Sequence, residues 1–124
     1  MEGSYKRVGQ KGEEIASHII THRFKMKIVE RNYRTRIGEI DIIAREQNTL
    51  VFVEVKSRVS LTAGYPEESI NEHKQSKIRK VALYYLISHG FNPHNLIYRF
   101  DVVSITFLGD DFSHPSIKYF KNAF

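Results

Sequence analysis

Asp41 is followed thirteen residues later by the triplet Glu54-Val55-Lys56, set inside the apolar run LVFVEVKS at 50–57. A charge inside an apolar strand is expensive unless something compensates it. Two carboxylates side by side suit a hard divalent cation such as Mg2+ (or Mn2+), which keeps several waters and also takes a phosphate oxygen. Such an ion polarises that oxygen and activates a bound water, which is the chemistry of phosphodiester hydrolysis. Lys56, held beside the acids, would orient the water and offset charge growing on the phosphate.

The elements that must position these groups follow from periodicity. Ile40–Arg45 and Leu50–Lys56 read as two strands joined by the polar turn Glu46–Thr49, a hairpin that brings Asp41 and Glu54 within reach of each other. Alternation puts Val51, Val53 and Val55 on one side of the second strand and Leu50, Phe52, Glu54 and Lys56 on the other. The charged pair therefore stands at the mouth of a core. Gly9–His22 reads as a helix whose stripe is Ile15, Ala16, Ile19 and Ile20, with Glu13 at the stripe's edge and Glu14, His18 and His22 on the opposite face. Glu13 is thus the carboxylate that looks inward, placed to hold a metal-bound water or complete the coordination.

Met26–Arg34 reads as a charged edge strand and Asn71–Gly90 as a helix capped by Asn71, with Ile78, Val81, Ala82, Tyr85 and Leu86 buried. Lys74 lies one turn before Ile78, at the core edge and near the helix N-terminus, which favours anions. AGYP at 63–66 is a loop, Leu96–Phe107 a further strand, and the remainder a loop followed by a short amphipathic tail. The order implies an α/β sandwich with helices on at least one face of the sheet, and leaves strand order open.

At 124 residues the chain predicts one domain over 1–124. It has no cysteine, which excludes disulfides, thiolate zinc sites and a cysteine nucleophile, so any metal must take oxygen or imidazole ligands. The longest apolar run, ALYYLI, is far short of a membrane span, and the N-terminus lacks a signal peptide's apolar stretch, so a cytoplasmic location with no membrane partner is expected. A net charge of +5 favours polyanions. The basic residues gather in 23–36, which contains Arg34 and Arg36, and in 71–80, which contains Lys74 and Lys77. These four are the candidate contacts to a nucleic acid backbone.

KGEEIA, RNYRTRIGEIDIIA, LVFVEVKSR, AGYP with a lysine soon after it, RFDVVSI and IKYFKNAF together resemble the YraN family of small bacterial proteins from about residue 11 onward. Its members are predicted endonucleases related to archaeal Holliday junction resolvases in the PD-(D/E)xK superfamily. The resemblance implies a restriction-endonuclease-like fold, a central mixed sheet flanked by helices. It also implies Asp41 and Glu54 as the metal acids, Lys56 as the motif lysine and Glu13 as the resolvase-like glutamate. The chain has Ile40 where the superfamily's name has proline, a departure that the resolvase-like branch tolerates.

Three functions compete on these residues. A metal-dependent DNA endonuclease, acting on branched or recombination and repair intermediates and suited to a homodimer because two strands are cut, is the leading one. A binding module of the same fold is the second, and it has little reason to concentrate acids where phosphate must sit. The third is an interaction protein that docks through its apolar tail, Phe120 and Phe124. The structural alternative for the acids themselves is an ion cluster in which Glu54 and Lys56 pair across strands and Asp41 pairs with an arginine; Asp101 in YRFDVV is open to a cap, a structural pair or a supporting role at the site.

Overall fold

A computed structural model describes residues 2–60, 70–109 and 111–124, with residues 2–5 and 111 traced by their backbone alone. In chain order these form α1 (Glu2–His18), which runs on into a π-helical turn (Ile19–Arg23), β1 (Lys27–Arg34), β2 (Glu39–Glu46), β3 (Thr49–Ser60), α2 (Glu72–Ser88), β4 (Ile97–Leu108) and β5 (Asp111–Phe120). The five strands make one mixed sheet in the order β1-β2-β3-β4-β5. The β1/β2, β2/β3 and β4/β5 pairs are antiparallel, and β3/β4 is parallel with α2 as its crossover. This is the α/β architecture expected, a mixed sheet flanked by two helices.

Each sheet face has its own core. Val51 and Val53 pack with Ile42, Val103, Ile105 and Phe107 against Ala16 and Ile20 of the first helix and its continuation. Leu50 and Phe52 pack with Ile43 and Phe100 against Ile78, Val81, Ala82, Tyr85 and Leu86 of α2. Alternation in β3 thus sorts its side chains between two helices, and the expectation of cover on at least one face becomes cover on both.

Three expectations are corrected. The first helix begins at Glu2 rather than Gly9; Gly3, Ser4 and Gly9 are weak helix formers, but buried Val8 extends the apolar stripe backwards. The C-terminal loop and tail are in fact strand β5, which carries Pro115 on the sheet's edge, where a missing N–H is tolerated. Phe124, expected as a docking residue, stacks on Phe100 with ring centroids 5.0 Å apart, and the Arg79 guanidinium covers both rings. The Ala123 N–H donates to the Phe100 carbonyl at 2.7 Å, so the end of the chain closes its own core. The loop AGYP lies outside the described residues. α2 starts as expected, with Asn71 Oδ1 accepting from the Lys74 N–H at 2.8 Å.

Asp101 is structural. It is fully buried in β4 and accepts from Arg99, from the Tyr119 hydroxyl and from the Asn122 N–H, while Arg99 also reaches Glu46 at 2.9 Å. That network ties β4 to β5 and to the end of β2.

Candidate metal and nucleic-acid site

The paired register of β2 and β3 runs from Glu46↔Thr49 to Ile42↔Val53. Beyond it the Val55 N–H, which points towards β2, is donated at 2.7 Å to Asp41 Oδ2. A side chain thus takes the place of the next rung, and Asp41 and Glu54 meet where the ladder opens. Both are buried, at 9% and 7% exposed. With Asp41 protonated, its O–H is donated to Glu54.

On the α2 side, Lys74 Nζ reaches Glu54 Oε1 at 2.9 Å. Lys74, expected on a phosphate backbone, is therefore engaged with the acid pair, because the core-edge position that precedes Ile78 overhangs Glu54. On the α1 side, Asp41 lines a recess of about 370 Å³ with Gln10, Glu13, Ser17, Arg31 and Asn32. Three acids, Glu13, Asp41 and Glu54, so form a line through the opening in the sheet. Lys56 lies two residues beyond Glu54 on the same side of β3, half-buried and opposite Ser104 of β4.

Burial first and then the Glu54 charge raise the Asp41 pKa from 3.8 to about 7. Burial likewise raises Glu54, with Lys74 opposing it. Glu13 is raised by burial and then by the Asp41 charge. Burial disfavours the Lys74 ammonium, but the Glu54 carboxylate outweighs this and leaves its pKa raised. Burial is thus the first cause of protonation in all three acids, with their mutual repulsion adding to it at Asp41 and Glu13.

Metal-free protein is accordingly expected to lose stability as pH rises. The native state holds the Asp41 proton more tightly than the unfolded chain does, so this contribution is complete below about pH 4 and lost as pH passes about 7. In EDTA, urea unfolding should show a fall of about 1–3 kcal/mol between roughly pH 5 and pH 8. Asp41→Asn should flatten that slope; a slope unchanged in the variant would assign it to another group.

Two residues that carry no motif complete the recess. Asn32, at φ +53 within β1 and opposite the Asp41 segment, hydrogen-bonds Glu13. Ser17, one turn beyond Glu13, has a buried Oγ with no hydrogen-bond partner. The signals were faint: an asparagine in a strand, where it is disfavoured, and a serine at i+4 from the inward acid.

Gly12 sets the height of α1 over the sheet, since a Cβ there would lie 1.7 Å from Ser57 Oγ and 2.8 Å from its Cβ. Gly12→Ala must lift the helix and carry Glu13 away from Asp41. A loss of about 1–3 kcal/mol in urea unfolding is expected, together with a smaller Glu13 influence on Asp41; unchanged stability would mean that the helix shifts freely.

A divalent cation fits this donor set. Among the described residues no three acidic or imidazole side chains form a metal cage. Two touching carboxylates with open space beside them match a small ion that keeps most of its water, and Ser17, whose buried hydroxyl has no hydrogen-bond partner, lines the same recess. The Lys74 ammonium already marks where positive charge is wanted. His18 and His22 stack on each other at 4.1 Å on the exposed face of the helix, away from the acids. Arg34 pairs with Glu39 at 3.1 Å, and Arg36 and Lys77 are exposed. No helix of the described residues is long and apolar enough to cross a membrane.

Comparison with known proteins supplies the remaining finding. The family model described as Uncharacterised protein family UPF0102 matches residues 12–105, a span that includes Glu13, Asp41, Glu54, Lys56 and Lys74. The chain is 46% identical over 120 residues to a UPF0102 protein of Caldicellulosiruptor bescii, covering 96% of this chain and 98% of that one. It is 42% identical over 125 residues to one from Geobacter sulfurreducens, covering 99% and 94%. A third, from Clostridium botulinum, is 46% identical over 120 residues, covering 96% and 94%. The YraN likeness read from the motifs refers to this same family.

Proposed function

We propose that this chain, which belongs to the UPF0102 family, is a Mg2+- or Mn2+-dependent endonuclease that hydrolyses DNA phosphodiester bonds, with branched recombination and repair intermediates as its substrates. The observation that carries the reading is the buried contact of Asp41 and Glu54 at an opening in the sheet, with a cation drawn onto it.

In this reading Asp41 and Glu54 would hold the ion, which would supply Lewis-acid polarisation of the phosphate and an acidified water. The Val55 N–H fixes the Asp41 carboxylate, so that group enters the reaction already oriented. Lys56 positions the attacking water and offsets the charge that grows on the phosphate. Glu13, held by Asn32, accepts a hydrogen bond from water across the recess. Lys74 neutralises Glu54 in the resting protein and, near the N-terminus of α2, is placed to meet a phosphate. Arg34, Arg36 and Lys77 meet the DNA backbone. The enzyme acts in the cytoplasm, as one domain, and a homodimer would present two such centres to two strands.

One observation favours a second reading. Lys74 already satisfies Glu54 at 2.9 Å, which is how a non-catalytic nucleic-acid-binding module would neutralise a residual acid. Purified protein incubated with Mg2+ or Mn2+ on single-stranded, duplex, flap and four-way junction DNA separates the two. Cleavage that needs the metal and is lost in Lys56→Ala supports the nuclease. Binding of these DNAs without cleavage of any establishes the module instead.

A further inference from the structure

Away from the acids, the turn between β1 and β2 and the flank of α2 enclose a recess of about 670 Å³ lined by Arg34, Thr35, Arg36, Ile37 and Tyr84. Its chemistry is specific. Tyr84 is 56% exposed and Ile37 47% exposed, so an aromatic face and an aliphatic wall stand open. Thr35 stiffens the turn: its Oγ1 accepts from the Ile37 and Gly38 N–H groups and donates to the Gly38 carbonyl, while its own N–H also donates to that carbonyl. The two arginines are thus presented by a preorganised loop. Among the described residues neither Arg36 nor Lys77 forms an ion pair, and the Arg34–Glu39 pair is too exposed to hold Arg34 firmly.

Helix α2 borders both places, the acid cluster through Lys74 and the recess through Tyr84, with the exposed Lys77 between them in the chain. Ten residues of helix span about 15 Å, roughly four phosphate spacings of a B-form strand. A cation at the cut, a cation between and an aromatic floor beyond is the layout of a single-strand path, because duplex DNA keeps its bases stacked and offers none to a tyrosine.

We propose that this recess is a subsite for an unpaired nucleotide, its base stacked on Tyr84 against Ile37 and its flanking phosphates held by Arg34, Arg36 and Lys77. The substrates it selects are DNAs with a single-stranded arm beside the cut. The inference rests on the nucleic-acid reading above and narrows it. A second copy of the chain is the other occupant to consider, since Leu83 and Ile87 are also exposed on α2. A two-fold contact through this face would bring two sets of Arg34, Arg36 and Lys77 into one interface, and crowding like charges in that way weakens it.

The test is binding without metal, in EDTA, so that cleavage plays no part. Fluorescence anisotropy compares a flap carrying a single-stranded arm with a blunt duplex of the same paired sequence. Tyr84→Ala should weaken the flap about tenfold and the duplex by less than about twofold, while Tyr84→Phe keeps most of the flap affinity. Arg36→Ala should weaken the flap and reduce the salt dependence of its binding. Thermal melting should show that the exposed Tyr84 position tolerates alanine without unfolding. Equal losses on flap and duplex, or no loss on either, overturn the subsite while leaving the nuclease reading standing. If wild type binds neither DNA in EDTA, the subsite falls, while the nuclease reading stands or falls by the cleavage assay with metal. A wild-type dimer that Tyr84→Ala dissociates in sedimentation would assign the recess to a second copy and overturn the proposal.

Discussion

On the nuclease reading, Glu54→Gln should lower Mg2+-dependent DNA cleavage at least about a thousandfold while leaving the protein at least as stable as wild type. The substitution keeps the volume of a buried side chain but removes the anion that would share the ion with Asp41. A neutral amide is a weak ligand for a hard cation, and the ion is the only source of an activated water in this mechanism. Stability moves the other way because Glu54 carries a raised pKa set first by burial, with Lys74 only partly offsetting it, and because its charge is the second cause of the raised pKa of Asp41. Removing the charge relieves both. The measurements are cleavage rate on the best DNA substrate and the urea midpoint at about pH 8, where the carboxylate repulsion is greatest. Residual cleavage within about tenfold of wild type would remove Glu54 from the metal site. A clear fall in stability would instead make the Glu54–Lys74 contact structural, as the binding-module reading requires. Sites that trade stability for function behave in the first way.

The second large effect is on folding. Asp101→Ala should destabilise the protein by about 3–5 kcal/mol, the range found when one member of a buried charge pair is deleted. The alanine leaves Arg99, only 12% exposed, with Glu46 as its one remaining carboxylate, and strips the Tyr119 hydroxyl and the Asn122 N–H of their acceptor. Asp101→Asn keeps a side-chain oxygen for one of these donors and should lose less. Equilibrium unfolding of both variants reports this directly, and cleavage per folded molecule should be unchanged because Asp101 lies outside the acid cluster. A loss below about 1 kcal/mol in the alanine variant would show that water replaces the carboxylate.

The contrast among these buried acids locates what was legible. Asp41 and Glu54 stood out because each interrupts an apolar strand and the hairpin that joins them brings two acids together, a local contact that alternation and a polar turn encode. Asp101 interrupts its strand in the same way, but Arg99 two residues earlier on the same face already suggests a structural pair. The helix α2, its Asn71 cap and its buried stripe were equally local. β5 was not, because a strand carrying Pro115 and exposed on one edge has almost no apolar alternation of its own. Its stability comes from the ladder with β4 and from Tyr119 reaching Asp101.

By itself the sequence determined the types of group at the site, the face of β3 on which Glu54 and Lys56 stand and the inward aspect of Glu13. These follow from periods of 2.0 and 3.6 residues, which any short stretch of chain carries within it. Only the tertiary structure decided that β3 and β4 run parallel, that Asp41 fills the open rung beside Val55, that Lys74 closes on Glu54 from the other layer, and that Arg36 and Tyr84 share one recess. Each of these joins residues from separate elements, and their meeting depends on how the layers pack, which no local period encodes.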